Sequence, residues 1–193
     1  MKKESEIRLA EIAKNIKALV LDGDGVVFTG HVLEGADGPI GKIRSHADGQ
    51  GISLLRASGI VVSCLTGESG HNASFLERLV EKWNSLPSVT SGAWRPVALF
   101  TGVERTKKVD EVKKWLAEYG ISLGECAAMG DDMTDYDLLG EVGLAASPAQ
   151  AEDIIKKRAH FVAARRGGDG AIRDLANLIL EAKSVDISSL ALR

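Results

Sequence analysis

The sequence predicts an α/β protein with a doubly wound, mostly parallel sheet that helices cover on both faces. Short apolar runs alternate with segments of helical periodicity along the chain, and strands that alternate with helices in this way form parallel sheets. The 193 residues are 45% hydrophobic and 26% charged, which suits one well-buried globular domain. We therefore expect a single domain over residues 1–193.

The individual elements follow from the period of the apolar residues and from the positions of glycine and proline. Apolar runs predict six buried strands, at residues 17–21, 60–65, 97–100, 126–130, 144–147 and 160–164. Helical periodicity predicts helices at residues 4–16, 48–59, 74–86, 107–120, 135–143, 149–159 and 170–183. Residues 31–45 alternate weakly around GADG and predict a small β-hairpin flap, whereas the polar residues 88–96 predict a loop. The tail from residue 184 has no clear pattern.

The charge and the cysteines exclude several classes of partner. The formal net charge is −3, so no basic field attracts nucleic acid or an anionic membrane surface. The charged N-terminal segment lacks the apolar centre of a signal peptide, and no run approaches the ~18 apolar residues of a membrane span. Cys64 and Cys126 have no metal-binding spacing and are expected to be buried free thiols. A cytoplasmic protein without nucleic-acid or membrane partners is predicted.

Polar residues follow several of the predicted strands. The stretch ALVLDGDGVVFTG places Asp22 and Asp24 after the first strand, Thr66 and Gly67 follow the second, and a group of aspartates follows the fourth, at Asp131, Asp132 and Asp135. The pair Lys107 and Lys108 opens the helix after the third strand. Because ligands of open α/β sheets bind beyond the carboxyl ends of the strands, we expect these groups to meet at one edge.

This grouping of carboxylates predicts phosphoryl-transfer chemistry. Neighbouring carboxylates raise each other's pKa unless a cation lies among them, and Mg²⁺ binds both carboxylate and phosphate oxygens. One aspartate can then attack phosphorus, and a second aspartate two residues on can exchange protons with the leaving alcohol and with water. A lysine and a threonine can bind the transferred phosphoryl oxygens.

Four segments resemble the motifs of the haloacid dehalogenase superfamily. These are DGDGVV, LTG, a lysine 23 residues before Asp131, and GDDMTD. The resemblance is closest to the capless branch of sugar-phosphate phosphatases, which includes the 3-deoxy-D-manno-octulosonate 8-phosphate (KDO 8-phosphate) and nonulosonate 9-phosphate phosphatases. DGQGISLLRASGI and RRGGDGAIRDLANLIL also resemble segments of that branch. The resemblance covers roughly residues 14–182, the expected core, and implies that there is no cap domain.

The resemblance implies a role for each matching residue. Asp22 would be the nucleophile and a metal ligand, and Asp24 would be the general acid/base and bind Mg²⁺ through its backbone carbonyl. Asp131 would be the third ligand. Asp132 and Asp135 would support the metal site and the lysine. Thr66 and the Gly67 amide would bind the phosphoryl group together with Lys108, with Lys107 as the alternative.

Substrate choice and assembly are less directly encoded. Glu68 follows Thr66-Gly67, where octulosonate phosphatases usually have arginine, and resembles the TGE of nonulosonate 9-phosphate phosphatases. Arg166 and Arg173 lie beside a Gly-rich segment that suits anion binding. The resemblance also implies a homotetramer with the flap at residues 31–44 in the interface. We thus expect a phosphatase acting on a 3-deoxy-2-ulosonate phosphate.

Two other classes of protein fit part of the pattern. A similar domain that mainly assembles tetramers is appended to some sialic-acid-activating enzymes, so a catalytically weak or inactive oligomerisation module is the alternative. The retained Asp22, Asp24, Lys108 and Asp131 favour catalysis over that alternative. A response-regulator receiver also uses strand-end aspartates with threonine and lysine, but in a different order along the chain.

Overall fold

The computed structural model describes residues 2–190. Met1 and residues 191–193, the ends of the predicted domain, lie outside the described residues. Within the described part of the chain, no helix combines the length and the apolar character needed to cross a membrane.

Six parallel strands form the central sheet, as predicted. They are β1 (Ala18–Asp22), β4 (Val61–Leu65), β5 (Ala98–Phe100), β6 (Cys126–Met129), β7 (Leu144–Ser147) and β8 (Phe161–Val162). Their order across the sheet is β5-β4-β1-β6-β7-β8, so the chain winds outward in both directions from β1. All pairings are parallel. The strands therefore end at one common edge, and β1 lies in the middle of it.

Helices cover both faces of this sheet. They are α1 (Lys2–Lys14), α2 (His46–Ala57), α3 (Gly70–Asn84), α4 (Pro87–Thr90), α5 (Arg105–Ala117), α6 (Tyr136–Leu139), α7 (Asp153–Arg158) and α8 (Ala171–Ala182). On β1, Leu19 and Leu21 join the core under α2, α3 and α8, whereas Ala18 and Val20 join the core under α5, α6 and α7. Burial on both faces explains why β1 is a continuous apolar run and not an alternating one.

A separate hairpin follows β1, as predicted. Its strands are β2 (Val32–Gly35) and β3 (Gly38–Lys42), which form a two-stranded antiparallel sheet of their own among the residues that the structure describes. The amide of Thr29 donates to the carbonyl of Ile43 at 2.9 Å and closes the base of the hairpin. The hairpin thus projects from the edge of the sheet where Asp22 lies.

Several element boundaries differ from the predicted ones. The predicted loop at residues 88–96 is wrong in part, because α4 forms one helical turn that begins at Pro87, a residue suited to the first helical position. The segment after α3 joins the amino-terminal edge of the sheet, opposite Asp22. There the buried Arg56 guanidinium donates to the carbonyls of Trp83 and Arg95. This segment therefore lies away from the carboxylates.

The last two strand–helix units are shorter than predicted. Helix α7 covers only Asp153–Arg158, and β8 only two residues. The residues before α7, which were predicted to be its first turn, fold back instead. The Ala149 amide donates to the carbonyl of Arg165. A 3₁₀ turn at Ile187–Ser189 lies in the unassigned tail.

Candidate active site

The predicted polar groups meet at the carboxyl edge of β1. Asp22 is the last residue of β1 and pairs in register with Leu65, the last residue of β4, so Thr66 follows directly beside it. A cavity of about 270 Å³ opens between these strand ends. It is lined by Asp22, Asp24, Thr66, Gly67, Glu68, Asp132 and Thr134.

Lys108 brings a buried positive charge to this site. Its Nζ donates to Oδ1 of Asp22 at 2.9 Å and to Oδ1 of Asp135 at 2.7 Å, and its side chain is 1% exposed. Burial alone would lower the pKa of Lys108, but the two carboxylates outweigh it and raise the pKa. Lys107, the alternative, is 69% exposed and pairs with Glu104. The fold therefore brings Lys108, and not Lys107, to the aspartates.

Asp131 completes a cluster of three carboxylates. One oxygen each of Asp22, Asp131 and Asp135 lies within 4.8 Å of the others. Burial, followed by repulsion from Asp135, Asp132 and Asp24, raises the pKa of Asp131 to about 7. Burial and the charge of Asp135 likewise raise the pKa of Asp22. The pKa values are raised although Lys108 lowers them, so the lysine does not fully offset the negative charge of the three carboxylates.

Asp135 and Asp132 have supporting contacts. Besides accepting from Lys108, Asp135 accepts a hydrogen bond from the Asp131 amide at 3.1 Å. Asp132 accepts from the amide and hydroxyl of Thr134, whose Oγ1 in turn lies 3.4 Å from Lys108 Nζ. Since both oxygens of Asp135 already have donors, Asp22 and Asp131 are the carboxylates with the most capacity to bind a metal ion.

Two glycines let the loops of the site approach each other. Gly25 has a φ of +80°, and a Cβ there would lie 1.9 Å from Asp131 Oδ2. A Cβ on Gly167 would lie 1.7 Å from the carbonyl oxygen of Gly25. The side chain of Gln150 bridges the two loops, donating to the Gly25 carbonyl and accepting from the Gly167 amide. The Gly-rich segment therefore supports the Asp22–Asp24 loop by direct packing.

Thr66 is buried, and Glu68 lies at the rim. The Thr66 amide donates to the Phe100 carbonyl, and its Oγ1 accepts from the Glu68 amide at 3.1 Å. Glu68 is half-buried and Gly67 is exposed, so both face the open side of the cavity.

Comparison with known proteins places the chain in a family. A sequence model of the haloacid dehalogenase-like hydrolases matches residues 60–173. The 3-deoxy-D-manno-octulosonate 8-phosphate phosphatase of Yersinia pestis is 32% identical over 171 residues, which span 89% of this chain and 83% of the relative. The chain belongs to the haloacid dehalogenase-like hydrolases. It is a phosphatase.

Solved structures of such phosphatases share the whole fold. The crystal structure of the Yersinia pestis enzyme superposes with a TM-score of 0.79 at 28% identity, covering 95% of this chain and 90% of that one. The Moraxella catarrhalis enzyme, solved with magnesium, phosphate and KDO, gives a TM-score of 0.76 at 25% identity and covers 92% of both chains. The expected capless Rossmann-like fold of the haloacid dehalogenase family is thereby confirmed.

The carboxylate cluster of this family member fits a divalent metal ion. The donors are all hard carboxylate oxygens, which suit Mg²⁺. The raised pKa values of Asp22 and Asp131 are those expected of ligands that a cation would keep ionised. The side chain of Asp24 is not part of the three-carboxylate cluster. The metal ligand expected from Asp24 is therefore still its backbone carbonyl.

The two arginines predicted to bind substrate lie elsewhere. Arg173 donates to Gln50 and Asn177 on the helical face, so the fold does not bring it to the cavity of its own chain. Arg166 is exposed and lines a second cavity of about 270 Å³ with the hairpin residues Ile43 and Arg44. The sequence predicted that arginines beside these glycines bind an anion. In the structure, Gly167 of the same segment packs against Gly25 of the loop after β1.

Two residues at the site had no clear sequence signal. Gln150 bridges loops that are distant in sequence, and nothing in its local segment indicates this. Lys42 forms a 2.6 Å ion pair with Asp24, yet an isolated lysine in a hairpin is typical of a solvated surface.

Proposed function

We propose that the protein is a Mg²⁺-dependent phosphomonoesterase that hydrolyses a 3-deoxy-2-ulosonate phosphate, such as a nonulosonate 9-phosphate or KDO 8-phosphate, through an aspartyl-phosphate. The observation that carries the proposal is the buried ion pair between Lys108 and Asp22, the latter of which lines the cavity. A buried lysine paired with two carboxylates restricts the orientation of Asp22 and brings positive charge beside it, which supports binding of a phosphoryl group at this point.

In the first half-reaction, a carboxylate oxygen of Asp22 attacks phosphorus and the bond from phosphorus to the ester oxygen breaks. Asp24 gives a proton to the departing ester oxygen, so the leaving group departs as a neutral alcohol. In the second half-reaction Asp24 takes a proton from water, and the water oxygen attacks phosphorus. The bond between phosphorus and the Asp22 oxygen breaks, inorganic phosphate is released, and Asp22 regains its carboxylate.

The surrounding groups stabilise the charge of the transferred phosphoryl group. Lys108 supplies positive charge beside Asp22. The Thr66 hydroxyl and the Gly67 amide donate hydrogen bonds to the oxygens of the phosphoryl group. Asp22 and Asp131, with the carbonyl of Asp24, would hold Mg²⁺. When bound, Mg²⁺ offsets the repulsion between the carboxylates and the phosphate.

The substrate class is supported by the relatives and by the open side of the cavity. Relatives of 32% and 25% identity carry the name KDO 8-phosphate phosphatase, one of them in complex with KDO. In this chain the rim carries Glu68, a carboxylate that can accept hydrogen bonds from sugar hydroxyls. We infer that a nonulosonate 9-phosphate is hydrolysed better than KDO 8-phosphate.

A panel of phosphate esters tests the proposal. KDO 8-phosphate, a nonulosonate 9-phosphate, glucose 6-phosphate and 4-nitrophenyl phosphate are compared by phosphate release with Mg²⁺ and with excess chelator. We expect kcat/KM to be highest for a sugar-acid phosphate and activity to disappear with chelator. Equal kcat/KM for all four esters would reject the substrate class, and full activity in chelator would reject the metal dependence.

A further inference from the structure

Lys42 connects the hairpin to the acid/base group of the site. At the end of β3, its Nζ lies 2.6 Å from Oδ2 of Asp24. The Lys42 side chain is 4% exposed, whereas the Asp24 side chain is 32% exposed. Lysine is almost never buried unless it is paired, so the ion pair with Asp24 accounts for the position of this ammonium group.

Two aromatic rings confine the same ammonium group. Nζ of Lys42 lies 5.6 Å from the ring centroid of Phe28 and 5.9 Å from that of Phe75. An ammonium group within about 6 Å of an aromatic ring is attracted by the negative ring face. Phe28 belongs to the loop after β1 and Phe75 to α3, so the lysine is held between the loop and a helix.

The hairpin that carries Lys42 is itself anchored. At its base, the Thr29 amide donates to the Ile43 carbonyl at 2.9 Å. Towards its turn, Nε2 of His71 on α3 lies 2.9 Å from the carbonyl oxygen of Pro39. These contacts fix β3 against both elements that provide the aromatic rings. Lys42 is therefore placed by the fold, although its hairpin is only two strands wide.

We propose that Lys42 is a positioning residue that holds the Asp24 carboxylate in the orientation required for proton transfer. By binding Oδ2, the ammonium group restricts rotation of the Asp24 side chain and keeps the carboxylate beside the cavity that contains Asp22. Restricting a proton-transfer group in this way contributes through geometry. The inference rests on the proposed function, because it assigns Asp24 the exchange of protons with the ester oxygen.

The experiment separates positioning of Asp24 from binding of substrate. Lys42→Met, Asp24→Asn and the double variant are compared with wild type in single-turnover release of the leaving group. The two esters are KDO 8-phosphate, whose alkoxide needs a proton, and 4-nitrophenyl phosphate, whose phenolate leaves without one. Lys113→Met, which removes an exposed lysine of α5, is the matched control, and melting temperatures are measured for all variants.

A positioning role predicts a specific pattern. Lys42→Met lowers the rate for KDO 8-phosphate by about 10- to 100-fold, part of the ~100- to 10,000-fold supplied by a general acid. The rate for 4-nitrophenyl phosphate falls much less, and the double variant is no slower than Asp24→Asn, because residues acting as a unit are not additive.

Two results would overturn the inference. Equal losses for the two esters would show that Lys42 only supports folding or binds the phosphate. Multiplied losses in the double variant would show that Lys42 acts independently of Asp24. In either case the proposed phosphatase activity would still be supported, because wild type would hydrolyse the esters. Absence of any hydrolysis by wild type would reject that activity itself.

Discussion

Nζ of Lys108 lies 2.9 Å from Oδ1 of Asp22, and the two groups are enclosed between β1 and α5. A buried lysine of this kind stabilises the protein only while its carboxylate partners remain in place, and those partners depend equally on the lysine. The same contact that holds the fold together at the sheet edge therefore also orients the proposed nucleophile.

Replacing this lysine is predicted to affect both activity and stability. Lys108→Met leaves Asp22 and Asp135 buried and facing each other, and breaking a buried ion pair costs about 3–5 kcal/mol. We expect kcat to fall by several orders of magnitude and the melting temperature of the metal-free protein to fall at neutral pH. Lys107→Met, which removes the adjacent exposed lysine, is the control. Comparable losses in both variants would contradict the assignment of Lys108.

The charge balance at Asp131 predicts a metal-dependent stability change. Its pKa is raised from 3.8 to about 7, so ionisation of this carboxyl disfavours the folded metal-free protein. The contribution of the Asp131 carboxyl to the free energy of unfolding is therefore favourable below pH 4 and is lost as the pH rises towards 7. We expect Asp131→Asn to raise the melting temperature in chelator at pH 8 and to abolish the stabilisation by Mg²⁺ seen in wild type.

The control for this measurement is Asp153→Asn, which removes an aspartate that is 87% exposed at the start of α7. It should leave the Mg²⁺-dependent shift of the melting temperature unchanged. If Asp131→Asn were stabilised by Mg²⁺ as much as wild type, Asp131 would not be a metal ligand.

Much of this fold is encoded locally and was therefore predictable. Leu19 and Leu21 face one core and Ala18 and Val20 the other, so a single apolar run already indicates a strand buried on both faces. The common edge of a parallel sheet then brings Asp22, Thr66 and Asp131 together. These inferences need only the period of the sequence and the direction of the strands.

Other features depend on contacts between distant segments. The pairing of Lys42 with Asp24 requires the hairpin to fold back over the loop after β1, which no local pattern specifies. The Gly-rich segment indicated anion binding, but the Gly167 amide is used by Gln150. Arg173 lies on α8, where its side chain donates to Gln50 and does not line the cavity that contains Asp22.

Glu68 is predicted to select between substrates. A site that hydrogen-bonds a substrate hydroxyl discriminates strongly against an ester that leaves its polar groups unpaired. We expect wild type to prefer a nonulosonate 9-phosphate over KDO 8-phosphate in kcat/KM, and Glu68→Arg to narrow or reverse that ratio. Glu77→Arg, on the exposed side of α3, is the control. A ratio unchanged by Glu68→Arg would rule out Glu68 as the selector.

The apolar residues exposed on the hairpin lead us to predict that the protein self-associates. The hairpin exposes Leu33 by 52%, Ile40 by 70% and Ile43 by 50%, a large apolar exposure for a two-stranded element. We expect a homotetramer by light scattering and a smaller species for Ile40→Asp. A fully active wild-type monomer at working concentrations would refute this assembly.

The most direct measurement is the identification of the covalent intermediate on Asp22. Enzyme mixed with KDO 8-phosphate and Mg²⁺ is quenched in acid during turnover, digested and sequenced by mass spectrometry, with Asp22→Asn treated in parallel. We expect a phosphoryl group on Asp22 in wild type, and neither phosphorylation nor hydrolysis in a folded Asp22→Asn protein. Undiminished hydrolysis by Asp22→Asn, or a phosphoryl group on another residue, would contradict the nucleophilic role of Asp22.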